Sequence, residues 1–267
     1  MLAGAWVRER TSAARSSSSL SFALGGGRST NMISFIIPAH DEERLIGRTL
    51  SALHTAASAL DEPYEVIVVD DASTDATAAV AARHGARLVT VHHLQIASAR
   101  NAGARHAQGD LLVFVDADTD VSEAVLGAAV RAIRSGAVGG GARARFDGRV
   151  PLYGRALMWS WLWLQWFGRL ASGCFIYCTR QAFETVGGFD QTLYAAEDVV
   201  LSRRLQRLGT FVIVREMVVT SGRTVRSHAG AEALRLLAGV MLRGPRYFRT
   251  RRGPWYEPRR DDPGGTV

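Results

Sequence analysis

The stretch that most constrains the fold is residues 111–118, where five apolar residues are followed by Asp116, Ala117 and Asp118. A buried strand does not hold an unpaired charge, so the two carboxylates have to emerge at the carboxyl end of the strand. Side chains two residues apart in an extended chain point to the same side. Asp116 and Asp118 are therefore predicted to converge on one hard cation or on one hydroxylated ligand.

A second apolar stretch ends in the same way, because residues 64–69 lead into Asp70 and Asp71. Strand-like and helix-like segments alternate from residue 33 to 115, which predicts an α/β fold with a mainly parallel central sheet flanked by helices. Both acid pairs then lie at the edge where open α/β sheets bind ligands. The predicted elements are strands at 33–38, 64–69, 86–91 and 111–115, and helices at 42–60 (capped by Asp41), between Asp75 and Gly85, and at 96–108.

The pattern after residue 120 is less regular, and the alternation of strands and helices is lost. Apolar runs and glycine stops still mark candidate elements. The predicted helices are at 121–135, 152–170, 180–186 and 197–208, and the predicted strands at 137–145, 175–178, 211–214 and 217–220.

Composition limits the classes of protein to which the chain can belong. Every basic residue is arginine, which indicates compositional bias, so the net charge of +7 is weak support for an anionic partner. Cys174 and Cys178 are too few for a disulfide framework and are predicted to be packing residues. No run of about 18 residues is free of polar groups, so no membrane-spanning helix is predicted and a cytoplasmic protein is expected.

Three further segments have a distinctive composition. The composition of residues 1–31 predicts a disordered N-terminal tail. Trp159, Trp163 and Trp166 share one face of the predicted helix at 152–170, which either covers the sheet or touches lipid or sugar. Residues 229–267 combine an apolar helix with an arginine-rich tail, which favours peripheral binding to an anionic surface on the inner face of the cell membrane. The tail lacks interleaved aromatic residues, so no nucleic acid partner is expected.

The glycine-rich phosphate loops of dinucleotide-binding and P-loop proteins are absent from the sequence. Acids at a sheet edge bind a nucleotide through a bridging divalent cation. Five motifs that follow one another along the chain resemble those of the family 2 glycosyltransferases, which have a GT-A fold. The resemblance covers residues 33 to about 224. The motifs are IIPAHDE at 36–42, VDDASTD at 69–75, ARNAG at 99–103, DAD at 116–118, and GGFD at 187–190 with Glu197-Asp198 downstream.

The resemblance implies a GT-A domain at residues 32–228, with a nucleotide half at 32–120 and an acceptor half at 121–228. It implies a nucleotide pocket in which Asp71 accepts from the base and Arg100 lies near the base or the phosphates. The residues implied to bind the nucleotide are Pro38, Ala39, Glu42, Asp71, Arg100 and Asp116.

The resemblance also implies the metal and catalytic residues. Asp118 would bind Mn²⁺ or Mg²⁺ directly, and Asp116 would contact the ribose or the metal. Asp198 would be the general base, with Glu197 beside it, unless Asp198 only caps the helix that follows.

Arg223 lies in a loop predicted after the last strand. A flexible arginine there is able to close over a diphosphate, although a solvated loop is an equal alternative. Arg226 and His228 are further candidates for this contact, and His228 is also a candidate metal ligand.

The implied activity is a metal-dependent single displacement with inversion, moving a sugar from a nucleotide-diphosphate sugar, preferably a UDP-sugar. The Gln-x-x-Arg-Trp motif of processive relatives is absent, which favours one transfer per encounter. The expected acceptor is small and lipid-linked or carotenoid-like. The alternatives are a sugar nucleotidyltransferase and a catalytically silent nucleotide-sugar-binding scaffold.

Overall fold

The computed structural model describes residues 32–148, 168–223 and 226. The predicted N-terminal tail, most of the predicted tryptophan helix, His228 and the arginine-rich tail lie outside these residues. No helix of the described ranges is long and apolar enough to cross a bilayer.

The first part of the sheet is parallel and follows the predicted alternation closely. Strand β1 (Ile33–Ala39) lies between β2 (Tyr64–Asp71) and β4 (Leu111–Val115), and β3 (Arg87–Val91) forms the edge beside β2. In the register, Ile33 pairs with both Tyr64 and Leu111. The connecting helices are α1 (Ile46–Ser58), α2 (Thr77–Arg83) and α3 (Ile96–His106).

The remaining elements add strands of both directions to the sheet. They are β5 (Thr119–Asp120), α4 (Glu123–Arg134), β6 (Gly139–Phe146), β7 (Phe175–Thr179), α5 (Arg180–Thr185), α6 (Glu197–Gln206) and β8 (Phe211–Thr220). Strand β7 is antiparallel to both β4 and β6, whereas β8 is parallel to β6 and antiparallel to β5. The eight strands form one sheet in the order β3-β2-β1-β4-β7-β6-β8-β5.

Alternate strand residues bury opposite faces of this sheet. Phe35 and Ile37 belong to a core cluster that includes Leu50 of α1 and Val125 of α4. The neighbouring Ile36 belongs to a second cluster, which includes Ala102 of α3. Each large apolar side chain buried in this way contributes about 1.5–3 kcal/mol, so the sheet is held from both sides.

Two predictions of local structure are wrong. The first helix begins at Ile46 rather than at residue 42, and Asp41 does not cap it. The expected strands at 211–214 and 217–220 form the single strand β8, which contains an irregularity. Val214 pairs with Ala142 and Met217 with Arg143, so the two intervening residues are accommodated without ending the strand.

The glycines of β6 let both neighbouring strands, β7 and β8, lie close to it. A side chain at Gly140 would collide with the carbonyl oxygen of Val212 and with the hydroxyl of Tyr177. That hydroxyl donates to the Val212 oxygen at 2.9 Å. Glycine at position 140 is therefore a packing requirement of the middle of the sheet.

Candidate active site

The loops that follow β1 and β2 are joined by side-chain hydrogen bonds. The Asp41 carboxylate accepts from the backbone N–H of Thr74 at 2.7 Å, and the Asp41 N–H donates to Ser73 Oγ at 3.0 Å. The Glu42 N–H donates to Thr77 Oγ1 at 2.7 Å. Asp41 adopts a positive φ of 51°, which aspartate tolerates better than most residues, and this explains why it crosses to the second loop instead of capping α1.

Pro38 and Ala39 are the last residues of β1 and are both buried beneath these loops. Asp70 accepts from the Ser73 N–H at 3.3 Å and so supports the loop that follows β2. The predicted helix-start residue Asp75 accepts from the backbone N–H of Thr77 at 2.9 Å, at the first residue of α2.

Asp71 holds the loop that leads into α3. Its carboxylate is 5% exposed and accepts from the backbone N–H groups of His93, Leu94 and Gln95 at 2.6, 2.9 and 3.1 Å. This arrangement gives Asp71 a structural role that the motif did not indicate. Its expected contact with a nucleobase stays a prediction.

Asp116 and Asp118 emerge at the carboxyl end of β4, and their side chains are 28% and 21% exposed. Asp116 accepts a 2.7 Å hydrogen bond from Arg100. Asp118 accepts from the Thr220 hydroxyl at 3.3 Å, and its carbonyl oxygen accepts from the Ser221 N–H at 3.2 Å. The short strand β5 pairs Thr119 with Thr220 and thereby carries Asp118 to the end of β8.

Arg100 connects the two halves of the site. Its side chain is 1% exposed, and its guanidinium donates to Glu197 at 2.7 Å, to Asp116 at 2.7 Å and to the Gly173 oxygen at 2.8 Å. The guanidinium carbon lies 5.2 Å from the ring centre of Phe189. Burial acts to lower the pKa of Arg100, but Asp116 and Glu197 outweigh it and raise that pKa above its ordinary value.

Glu197 and Asp198 open α6, where acidic side chains are favoured by the helix dipole. The preceding Ala196 is left-handed with φ 62°, a conformation that costs about 1–2 kcal/mol in a non-glycine residue. Burial of the carboxyl, together with the neighbouring Glu197, raises the pKa of Asp198 to about 7. Asp198 is still partly exposed, and its carboxylate accepts a local hydrogen bond from the Val199 N–H at 2.7 Å. An acceptor is therefore able to reach it.

Gly173 is a site residue that the sequence motifs did not reveal. A Cβ at this position would lie 3.3 Å from Arg100 Nη2 and 3.3 Å from Asp198 Oδ2. Its carbonyl accepts from Arg100, and its backbone also hydrogen-bonds to Asp198. In the sequence, a glycine before a predicted strand is typical of an ordinary turn, so it does not indicate a site residue.

Asn101 joins the ARNAG and GGFD motifs. Its side-chain amide donates to the Phe189 oxygen at 2.9 Å and accepts from the Phe189 N–H at 3.0 Å. Gly188 has a φ of 70°, and a side chain there would lie 2.7 Å from the Asn101 amide oxygen. These hydrogen bonds therefore connect the two motifs and hold α3 against the segment that carries GGFD.

Arg223 lies at the opposite side of the site, with its side chain 15% exposed. Its Nη2 donates to both carboxylate oxygens of Glu42, at 2.8 and 3.0 Å, and lies 3.9 Å from Asp118 Oδ2. Glu42, Asp118 and Arg223, which were predicted separately for the donor site, are thus neighbours. Glu42 and Arg223 are 181 positions apart in the chain.

The donor set at the end of β4 fits a divalent cation that is shared with a substrate. Within the described residues, no three His, Cys, Asp or Glu side chains are grouped as a complete site. Mg²⁺-type cations are commonly held by one or two carboxylates together with substrate phosphates and water, and Asp116 and Asp118 supply two carboxylates. Cys174 is adjacent to them, but burial and then Asp116 raise the pKa of its thiol, so it remains a protonated packing residue.

Comparison with solved structures defines the class of fold. The chain is similar to a mannosyltransferase from Pyrobaculum calidifontis in complex with GDP-Man and Mn²⁺, with a TM-score of 0.61, 23% identity, and coverage of 79% of this chain and 61% of that chain. It is also similar to glucosyl-3-phosphoglycerate synthase from Mycobacterium tuberculosis, with a TM-score of 0.54, 20% identity and 80% coverage of both chains. The protein has the GT-A fold, as expected.

Sequence comparison identifies the family. The model of glycosyl transferase family 2 matches residues 34–186, which is more than half of the 267-residue chain. The chain belongs to glycosyl transferase family 2.

Individual relatives match over shorter stretches. Validoxylamine A glucosyltransferase from Streptomyces hygroscopicus subsp. jinggangensis is 40% identical over 91 residues, which are 32% of this chain and 21% of that protein. An undecaprenyl-phosphate 4-deoxy-4-formamido-L-arabinose transferase from Edwardsiella ictaluri is 32% identical over 98 residues, 34% of this chain and 30% of that protein. A 4,4'-diaponeurosporenoate glycosyltransferase from Staphylococcus haemolyticus is 33% identical over 103 residues, 36% of this chain and 26% of that protein. The matches span a fifth to a third of these relatives.

Proposed function

We propose that the protein is a glycosyltransferase that moves a sugar from a nucleotide-diphosphate sugar to an acceptor hydroxyl, with inversion at the anomeric carbon. The observation that carries this proposal is the position of Arg100, whose guanidinium bonds to Asp116 of the DAD motif and to Glu197 beside Asp198. The buried Arg100 side chain thus fixes the position of Asp116 relative to Glu197 and its neighbour Asp198. This is the arrangement that a direct transfer from donor to acceptor requires.

The base of the reaction is Asp198. With a pKa of about 7 it is ionised in a large fraction of molecules at neutral pH and is basic enough to take a proton from a hydroxyl as that oxygen attacks. The acceptor oxygen forms its bond to the anomeric carbon while the carbon–oxygen bond to the diphosphate breaks, and the electron pair leaves with the diphosphate. A single displacement of this kind inverts the configuration.

The remaining site residues bind and orient the donor. Arg223 supplies positive charge near Asp118, where the diphosphate is expected, and Glu42 holds that guanidinium in place. Pro38, Ala39 and Asp71 form the floor and the loop support of the nucleotide pocket. A divalent cation, Mn²⁺ or Mg²⁺, held by Asp116 and Asp118 would neutralise the departing diphosphate.

The relatives support a range of donors and acceptors. Structural neighbours are described in complex with GDP-Man, UDP-GlcNAc and UDP, and two of them with Mn²⁺. The undecaprenyl-phosphate and diaponeurosporenoate transferases act on lipid acceptors by name, which supports a lipid-linked or carotenoid-like acceptor. We propose a UDP-sugar donor, a single transfer per encounter and peripheral association with an anionic membrane surface.

Calorimetric titration of the purified chain with UDP and with GDP, in the presence and absence of Mn²⁺, tests the donor site. We expect one nucleotide to bind in a metal-dependent way and Asp118→Ala to abolish that binding. Asp110→Ala is the matched control, since Asp110 precedes β4 at the opposite end of the strand. Binding of neither nucleotide by the wild-type chain, with or without the metal, would contradict the proposed activity.

A further inference from the structure

The turn that carries Arg223 is fixed by a residue outside the family motifs. Strands β6 and β8 are parallel and pair Phe146 with Thr220, so the residues that follow them meet at one edge. The N–H of Asp147 donates to the Thr220 oxygen at 2.9 Å. The Asp147 carboxylate then accepts from the N–H of Gly222 at 2.8 Å.

Arg226 closes the turn around the same aspartate. Its guanidinium donates to the Asp147 carbonyl at 2.8 Å and to Asp147 Oδ1 at 3.0 and 3.1 Å, and its side chain is 4% exposed. The Arg226 N–H donates to the Gly222 oxygen at 2.9 Å. A side chain at Gly222 would lie 2.6 Å from the Arg226 guanidinium and 3.2 Å from the Asp147 oxygen, so glycine lets the turn close this tightly.

The closed turn holds Arg223 over the donor site. Arg223 directly follows Gly222, and its side chain reaches Glu42 and Asp118 rather than solvent. A guanidinium that is fixed before the ligand arrives loses little conformational entropy when it pairs with a diphosphate, so its contribution to affinity depends on what fixes it. Asp147 bonds to both Gly222 and Arg226, which lie on either side of Arg223 in the chain.

We infer that Asp147 is a positioning residue of the donor site, which holds Gly222 and Arg226 so that Arg223 stays where a nucleoside diphosphate binds. Asp147 itself does not touch the nucleotide and acts through Arg223. The inference rests on the proposed function, because it names the residue that prepares the donor site of that activity.

A double-mutant cycle tests this inference. The affinity for UDP and GDP in the presence of Mn²⁺ is measured by calorimetry for the wild type, Asp147→Ala, Arg223→Ala and the double variant. We expect each single substitution to weaken binding about tenfold, the size of one hydrogen bond to a charged group. In the Arg223→Ala background, the Asp147 substitution is expected to have no further effect, because its contribution runs through Arg223.

A control and a second measurement separate positioning from general damage. Glu62→Ala removes another acid that pairs with an arginine, Arg134, and is expected to leave the affinity unchanged. Hydrogen exchange of the nucleotide-free protein is expected to be faster at Gly222 and Arg226 in Asp147→Ala, and to be largely restored in Asp147→Asn, which keeps an acceptor oxygen.

The outcomes distinguish this inference from the proposed function. Unchanged exchange in Asp147→Ala, or a loss of affinity that persists in full without Arg223, would overturn the positioning role. A wild-type chain that binds neither nucleotide would instead contradict the proposed activity, while the exchange measurement would still decide whether Asp147 fixes the turn.

Discussion

The two halves of the molecule place their functional residues by different means. In residues 32–120 the strands β1 to β4 are parallel, and the acids follow directly from the strands that carry them. After residue 120, β7 runs antiparallel between β4 and β6, and the functional residues are held by partners far away in the chain. The half at residues 32–120 is therefore predictable from local pattern, whereas the half after residue 120 depends on long-range contacts.

Asp118 and Asp198 show this difference most clearly. Asp118 needs only the end of β4 to reach the carboxyl edge of the sheet. Asp198 is placed by the left-handed Ala196, by the backbone of Gly173 and by the bond between Arg100 and Glu197. Substitutions in the half after residue 120 should therefore affect the proposed reaction through several supporting residues at once.

The largest expected effect separates binding from chemistry. Asp198→Asn keeps the shape of the base but cannot take a proton, so turnover should fall by about 10²–10⁴-fold. Nucleotide affinity should change little, in contrast to its loss in Asp118→Ala. Steady-state rates and calorimetry on the same preparations measure both quantities, with the exposed Glu184→Gln as the control. A turnover close to that of the wild type would remove Asp198 from the mechanism.

Removal of the link between the halves is expected to have the next largest effect. Arg100→Met leaves Asp116 and Glu197 without their buried partner and should lower the free energy of unfolding by about 3–5 kcal/mol. The comparison is Arg204→Met, which breaks the more exposed pair with Asp190 and should cost about 0–1 kcal/mol. Urea unfolding measures both, and equal losses would mean that Arg100 does not join the two halves.

Substitution of two glycines, one in each half, tests how tightly the two halves are packed. A Cβ at Gly103 of α3 would meet the buried side-chain methyls of Ile36 and Val69 but no strand backbone, and alanine favours a helix. A Cβ at Gly140 would meet the backbone of Val212, which cannot shift without breaking the sheet. Gly140→Ala should therefore lower the free energy of unfolding by about 1–3 kcal/mol, and by more than Gly103→Ala does. Thermal or urea unfolding of both variants ranks them, and the reverse order would contradict this explanation of the β6 glycines.

The smallest expected effect is a pH dependence of stability that belongs to the half after residue 120. The folded protein raises the pKa of Asp198 from its ordinary value of 3.8 to about 7, so between these values the folded state binds a proton that the unfolded state has lost. The contribution of Asp198 to stability therefore falls as the pH rises through this range. Relative to the wild type, Asp198→Asn should be more stable at about pH 8 than at about pH 5 in urea titrations. The effect is small because water still reaches the carboxyl, and a difference that does not vary with pH would contradict the raised pKa.

Much of the fold was predictable because its causes are local. The strand at 111–115 coincides with β4, and the other predicted strands of the nucleotide half agree with the structure to within two residues. An apolar run that ends in acids forms a buried strand whose acids lie beyond its carboxyl end, because the charges have to be outside the core. The error at Asp41 arose because its carboxylate found a donor at Thr74, 33 residues away, which no local pattern contains.

The sequence by itself determined the α/β class of fold, the edge of the sheet at which the acids gather and Asp116 and Asp118 as candidates, because strand period and charge burial act over a few residues. Asp198 became a candidate only through the resemblance to the family. Only the tertiary structure decided that Arg100 joins Asp116 to Glu197, that Gly173 leaves room beside them, and that Asp147 holds the turn bearing Arg223. Those contacts join residues tens of positions apart, and their partners are chosen by strand order and packing, which become defined only when the whole sheet has formed.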